Sequence, residues 1–412
     1  MNLFVKTLLV GTLPCAVASA QSLYSIAPND DEADTSLPLT YVVGGAVGYD
    51  DNPTPLFDGE DLNGGSAFVS AFAQANYTNV SPQTTWDFYG RLGVRYYFDN
   101  LEGSNADQTA YSVRAGVNYT HRFSERLRFS SRNFLAYEIE PDFETGLGTD
   151  RRGGQYFRWS SDNSVGYRWS ERLGTQTGIN FNGIVFDDLD NSDFTRVTFR
   201  HDFRYRISPA TVLVAGYRYA TTSNDAGGDA DSHFITAGVE HRISPTSAVV
   251  LRGGVQIADP DNGGTNTTPF FEGSLRTQLT SQLSTNVFVR YSNEQFNRTV
   301  VGDLNDDGIN NFFAFEESQT FRLGARGTYA LNPTVSLFGG INYIFTNYED
   351  AITPVGAPDA DESVLNLSAG FSYQFNDTLY LTGSYNFTTS FSDFENREYD
   401  RNRFQLGVQT TF

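Results

Sequence analysis

Cysteine, lysine and methionine are nearly missing from this 412-residue chain: each occurs once, as Cys15, Lys6 and Met1. Beyond residue 15, then, no disulfide and no thiolate metal site can form. Arginine must carry nearly all the basic charge. Long apolar runs are missing too. Past the N-terminus none reaches the about 20 residues that a membrane-spanning helix needs, and the mean hydropathy is −0.38. Basic residues are outnumbered 28 to 49, leaving a net charge of −21. That field repels phosphate, and no basic cluster stands clear of acidic neighbours, so nucleic acid is not an expected partner. Catalysis has little to rest on. The histidines His121, His201, His233 and His241 lack a nucleophile motif or zinc spacing. An enzyme is not expected.

The N-terminus reads as an export leader. Lys6 supplies the positive charge, Thr7 to Leu13 the apolar core, and Ala18-Ser19-Ala20 the cleavage pattern. Residues 1–20 are therefore expected to be a signal peptide, with the mature chain starting near Gln21. A lipoprotein acceptor at Cys15 fits less well, because Thr12-Leu13-Pro14 is a poor lipobox. Residues 21–39 form an acidic, flexible lead-in around Asn29-Asp30-Asp31-Glu32. Residues 40–412 form the main unit.

From Thr40 onward the chain alternates apolar and polar residues at period two, the mark of strands with two different faces. Trp86, Phe88, Leu92, Val94, Tyr96 and Phe98 share one face, against Asp87, Tyr89, Arg91, Arg95 and Tyr97. One short phrase punctuates these runs. It appears as Asn79-Val80-Ser81-Pro82, Arg122-Phe123-Ser124-Glu125, Arg168-Trp169-Ser170-Glu171 and Arg206-Ile207-Ser208-Pro209. It returns as Arg242-Ile243-Ser244-Pro245, Gln278-Leu279-Thr280-Ser281, Ala330-Leu331-Asn332-Pro333 and Gln374-Phe375-Asn376-Asp377. Each reads as a tight hairpin turn, since Ser and Asn bond nearby backbone and Pro presets φ.

Between successive tight turns lie longer Asp/Asn/Gly-rich stretches, for example 50–65, 141–154, 223–231, 258–268, 297–314 and 348–362. Short turns at one end and long loops at the other are the asymmetry of an outer-membrane barrel. The expected fold is all-β: a transmembrane antiparallel up-and-down β-barrel of about 18 strands, with short periplasmic turns and long extracellular loops. Aromatics beside the turns, such as Phe123, Trp169, Tyr205, Tyr329 and Phe375, suit a membrane–water interface. The final run places Phe404, Leu406, Val408 and Phe412 on one face and ends on Phe412. It resembles the C-terminal signal that the barrel assembly machinery recognises. Gly44-Gly45-Ala46-Val47-Gly48-Tyr49-Asp50-Asp51-Asn52 and the Ile-Ser-Pro turns resemble the outer-membrane β-barrel porin families of Gram-negative bacteria. That resemblance implies a porin-like barrel and no particular solute; outer-membrane lipid and lipopolysaccharide are the expected partners of such a barrel. Homo-oligomerisation stays open.

The expected lumen face carries Arg91, Arg95, Arg114, Arg158, Arg196, Arg200, Arg204, Arg218, Arg252, Arg290, Arg322 and Arg326. An arginine facing lipid at mid-depth costs about 2–4 kcal/mol, so all should face inward. Two readings stand. These residues line a pore that favours anions, or they pair with Asp87, Asp162, Asp202, Glu240 and Glu272 on the same face and rigidify the wall. Arginine suits both. The expected function is passive passage of small polar or anionic solutes. The alternatives are an export conduit for an anionic exopolysaccharide and a plugged structural or adhesion barrel. A partial calcium loop lies at Asp303, Asn305, Asp307 and Ile309, but its twelfth position is Ala314 rather than Glu. Asp50, Asp51, Asp58, Glu60 and Asp61 form a second acidic stretch.

Overall fold

A computed structural model describes residues 39–53, 64–99, 108–139, 143, 155–187, 193–225, 228–261, 263–295, 298–304, 311–355, 357–394 and 397–412. The expected signal peptide (1–20) and acidic lead-in (21–39) lie outside these residues, apart from Leu39. The strands are β1 (Leu39–Asp50), β2 (Ser66–Val80), β3 (Thr84–Tyr97), β4 (Thr109–Arg122), β5 (Leu127–Glu138) and β6 (Tyr156–Arg168). They continue as β7 (Leu173–Phe186), β8 (Phe194–Ser208), β9 (Thr211–Asn224), β10 (Ala230–Ser244), β11 (Ser247–Pro260), β12 (Asn266–Gln278) and β13 (Leu283–Asn293). The last are β14 (Thr299–Gly302), β15 (Asn311–Asn332), β16 (Val335–Thr353), β17 (Ala360–Gln374), β18 (Leu379–Ser392) and β19 (Tyr399–Thr411).

Each long strand pairs antiparallel with its neighbours in sequence, and β19 pairs with β1, so the sheet closes on itself. The four-residue β14 only pairs with the upper part of β15, while β13 pairs with β15 directly. The ring therefore holds 18 strands, the number expected from the turn count. Closure leaves no unpaired edge, which a sheet in lipid requires.

The eight turn phrases all become the tight connections, at one end of the barrel. In each, a side-chain oxygen accepts an amide hydrogen two or three residues on. Ser81 accepts from Thr84, Ser124 from Leu127 and Ser170 from Leu173 at 3.0 to 3.2 Å. Ser208, Ser244, Thr280, Asn332 and Asn376 do the same. This is why the phrase tolerates Ser, Thr or Asn but keeps an oxygen at that place.

At the other end three of the six connections named from composition are shorter than it suggested. Residues 223–231 contract to a loop of 225–229, 258–268 to 261–265, and 348–362 to 354–359, because the flanking strands run on through Asn, Asp and Thr. Asp50 is likewise the last residue of β1 rather than part of a loop. Strand ends that project past the bilayer stand in water, where polar side chains suit both faces. β15 and β16 project furthest, with 22 and 19 residues.

The two faces follow the alternation. Leu92, Phe98, Val47, Phe203 and Phe391 are 55 to 62 % exposed on the outer parity. So large an apolar exterior belongs in lipid rather than water. Near the tight turns it ends in Phe123, Trp169, Tyr205, Tyr329 and Phe375, where Trp169 stacks edge-on against Tyr167 at 4.6 Å. The inner parity is polar and largely buried.

Candidate functional site: the inner wall

All twelve arginines named from the sequence stand on the inner parity of their strands, away from the exposed apolar residues. Burial then divides them. Arg158, Arg196, Arg200, Arg204, Arg252 and Arg322 are less than 9 % exposed. Arg91, Arg95, Arg114, Arg218, Arg290 and Arg326 are half-buried.

Four of the buried arginines, Arg200, Arg204, Arg252 and Arg322, are braced by carboxylates. Arg200 holds Asp162 at 2.7 Å, and Arg204 donates to Glu240. Arg252 lies 3.4 Å from Asp202 and 3.6 Å from Glu272, and Arg218 grips Glu272 through both nitrogens. Four of the five carboxylates expected from parity are thus engaged: Asp162, Asp202, Glu240 and Glu272. Two further partners were not anticipated. Glu138, at the end of β5, receives Arg114, and Glu294, just past β13, takes two hydrogen bonds of 2.8 and 2.7 Å from Arg322. Glu138 was legible by parity. Glu294 was not, because it sits outside the regular strand.

Most of these pairs skip a strand. Arg204 of β8 reaches Glu240 of β10, and Arg218 of β9 reaches Glu272 of β12. The residues directly opposite one another are often arginines instead. Arg91 faces Arg114, Arg200 faces Arg218, and Arg290 faces Arg322. Like charges directly opposite are unfavourable in a sheet. The flanking carboxylates offset this by holding at least one member of each pair.

Aromatic rings carry several of the same side chains. Arg91 lies 4.0 Å over Phe72, Arg95 4.7 Å over Phe68, and Arg158 5.6 Å over Phe134. The Gly-rich first strand makes room for two of these rings. A Cβ on Gly44 would sit 2.6 Å from Phe72, and one on Gly48 would sit 2.3 Å from Phe68. Gly44 and Gly48 therefore let both rings lie across β1.

Loop residues reach into the interior at the long-loop end. Phe143, from the β5–β6 connection, is buried against Ile344 of β16 and Val364 of β17. Counting round the ring, β5 and β16 are ten strands apart one way and eight the other, so Phe143 packs on the far wall. Val300, Phe313, Phe315, Tyr348, Ala360 and Phe394 form a second apolar cluster, which roofs the β14–β17 side. Arg298 is fully buried beside it and donates to the carbonyls of Gln295 and Phe315. Burial lowers its guanidinium pKa.

The seam between first and last strands is clasped at both ends. Tyr41 and Phe412 exchange backbone hydrogen bonds of 3.1 and 2.8 Å. At the other end Arg401 donates to both oxygens of Asp50, and Asn402 donates to Asp51 from its backbone and its side chain.

The four histidines stand on the outer parity. His121, His201 and His241 each meet a threonine on the adjoining strand, Thr84, Thr177 and Thr211, at 2.7 to 3.0 Å. His233 meets Tyr217 at 2.7 Å. A ring nitrogen beside lipid needs such a partner. Of the calcium-loop residues only Asp303 is described, and it is 4 % exposed; Asn305, Asp307 and Ile309 lie outside the described residues, as do Asp58, Glu60 and Asp61.

Comparison with known proteins agrees with the fold. Residues 243–412 match the family described as outer membrane protein beta-barrel domain. No curated protein matches the chain. Among solved structures, OpdK from Pseudomonas aeruginosa is 13 % identical with a TM-score of 0.46, covering 91 % of this chain and 98 % of its own. OccAB4 from Acinetobacter baumannii is 12 % identical with a TM-score of 0.44 and the same coverage. A mutant of the ferric enterobactin receptor PfeA from Pseudomonas aeruginosa is 8 % identical with a TM-score of 0.45, covering 90 % of this chain and 80 % of its own. The closed 18-stranded ring with its apolar exterior is a transmembrane β-barrel, and its C-terminal part, residues 243–412, is similar to a family of outer-membrane barrel domains.

Proposed function

We propose that this barrel is a passive outer-membrane channel for small polar solutes, with anions favoured. The observation that carries the reading is the polar inner parity, where Arg91, Arg95, Arg114, Arg218, Arg290 and Arg326 are only half-buried, Arg114 and Arg218 beside a carboxylate. Barrels of about 16 to 18 strands leave room for an aqueous path. Guanidinium groups along such a path raise the local concentration of anions.

Export of an anionic polysaccharide is a weaker reading. A side chain packed against the far wall, as Phe143 is, narrows the path at the long-loop end. Small solutes suit that geometry better than a polymer. Insertion by the barrel assembly machinery, guided by Phe412, and contact with lipopolysaccharide at the outer rim belong to the same proposal. Self-association is left to measurement.

Recording from the purified protein in a planar bilayer tests the channel. Discrete conductance steps with anion preference are expected. Silence sinks the reading in favour of a plugged barrel, and cation preference sinks its anion component. Calcium at Asp303, Asn305, Asp307 and Ile309 is a separate proposal. It predicts a higher melting temperature with millimolar calcium, and an unchanged one counts against it.

A further inference from the structure

Not every arginine on the inner wall can meet a solute. One that does must be reachable by water and must have donors to spare. Arg200, Arg204, Arg218, Arg252 and Arg322 each hold a carboxylate within 4.0 Å, and all but Arg218 are buried. Arg91 and Arg290 differ in both respects. They are half-buried, and neither has a carboxylate within salt-bridge distance among the described residues.

Their surroundings differ on one flank, where Arg91 is opposite Gln74 and Arg290 is opposite Glu272, itself held by Arg218, and are alike on the other. Each stands opposite an arginine that a carboxylate already holds: Arg114 with Glu138 for Arg91, and Arg322 with Glu294 for Arg290. Each is near an inner-face phenylalanine, Phe72 at 4.0 Å and Phe270 at 6.0 Å. The ring over Arg91 leaves its in-plane N–H groups available, while Arg290 donates its Nε–H to Ser292 at 3.2 Å and keeps its two terminal nitrogens. Those donors form the fork that matches a planar oxyanion.

Their positions are also matched. Arg91 is seven residues from the turn-side end of β3 at Thr84, and Arg290 is seven from that of β13 at Leu283. β3 and β13 lie ten strands apart one way round the ring and eight the other. The two groups therefore stand at similar depth on opposite walls.

Building on the channel reading, we propose that Arg91 and Arg290 contact anionic solutes in transit, while the six carboxylate-bound arginines, Arg114 included, brace the wall. The solutes are small molecules bearing a carboxylate or phosphate, gripped by one guanidinium and passed within reach of the other.

The test uses the full-length protein in a planar bilayer under a potassium chloride gradient. Arg91→Gln and Arg290→Gln are each expected to lower the anion-over-cation permeability ratio by up to roughly tenfold, since one unit charge about 6 Å away across water favours an anion about threefold and disfavours a cation equally. Arg204→Gln should leave that ratio unchanged. Arg91→Lys and Arg290→Lys keep the charge but lose the fork. They should keep the chloride preference and lose block of the current by inorganic phosphate, so the test survives if a Gln variant fails to fold. An insulating wild type overturns the channel reading and this assignment together. An anion-preferring wild type whose Gln variants keep its ratio, or whose Lys variants keep phosphate block, overturns this assignment alone.

Discussion

Asp50, the last residue of the first strand, accepts two hydrogen bonds, of 2.9 and 2.6 Å, from Arg401 of the last strand. Both side chains are buried, and the contact joins chain positions 351 residues apart. Together with Asp51 and Asn402, it makes the Tyr-Asp-Asp-Asn element a clasp for the barrel seam. Asp50 points inward and Asp51 outward, so consecutive aspartates hold both faces of the last strand.

Breaking that clasp should loosen closure. Asp50→Ala strands Arg401 without its carboxylate and is expected to cost about 3–5 kcal/mol. The exchange Asp50→Arg with Arg401→Asp should recover part of the loss. Urea titration followed by tryptophan fluorescence reads the change. An Asp50→Ala midpoint equal to wild type removes the clasp from consideration.

The Glu294–Arg322 pair allows a second test. Removing one partner leaves a buried, uncompensated charge, so Arg322→Met alone should lose about 3–5 kcal/mol. The double variant Arg322→Met, Glu294→Leu should lose much less, because an apolar pair can replace a buried ion pair. A double-mutant cycle on urea unfolding measures the coupling. Additive losses contradict the pairing seen on β13 and β15.

Phe143 should control conductance more than stability. It packs on Ile344 and Val364, yet belongs to a connection outside the strand ladder. Phe143→Ala is expected to raise single-channel conductance while leaving barrel melting nearly unchanged. Unaltered conductance would mean that this loop does not narrow the path.

Glu349 gives a pH dependence. It lies on the part of the β15–β16 hairpin that outruns the other strands, directly opposite Glu317. Burial, then the charges of Glu317, Asp359, Asp350 and Asp361, raise its pKa above the usual carboxylate value. For a raised acid, the stabilising contribution is present at low pH and lost as pH rises through the folded value. Glu349→Gln should therefore raise the melting temperature at about pH 8 and change little at about pH 3. A gain confined to acid contradicts the sign.

Much of the fold was readable because both of its signals are local. Period-two alternation assigns faces one residue at a time, and the turn oxygens of Ser124, Ser208 or Asn332 act within three residues. Together they yielded the strand number and the two ends of the barrel. Loop lengths were read less well, since Asn, Asp and Thr signal a turn in water-soluble segments but also serve in strand ends that leave the membrane. Parity also placed all twelve arginines inward and found four of their carboxylate partners. It could not find Glu294 beyond the end of β13, or the seating of Phe143 on the opposite wall.

Composition and alternation alone therefore settled that this is a closed, outward-apolar barrel with an arginine-bearing interior. Only the folded ring decided which arginines are bound and which are open. The reason is reach: guanidinium and carboxylate side chains bridge strands that are not neighbours, as from Arg204 to Glu240 and from Arg252 to Asp202. Such pairings depend on register, tilt and curvature accumulated over several strands, which no local pattern records.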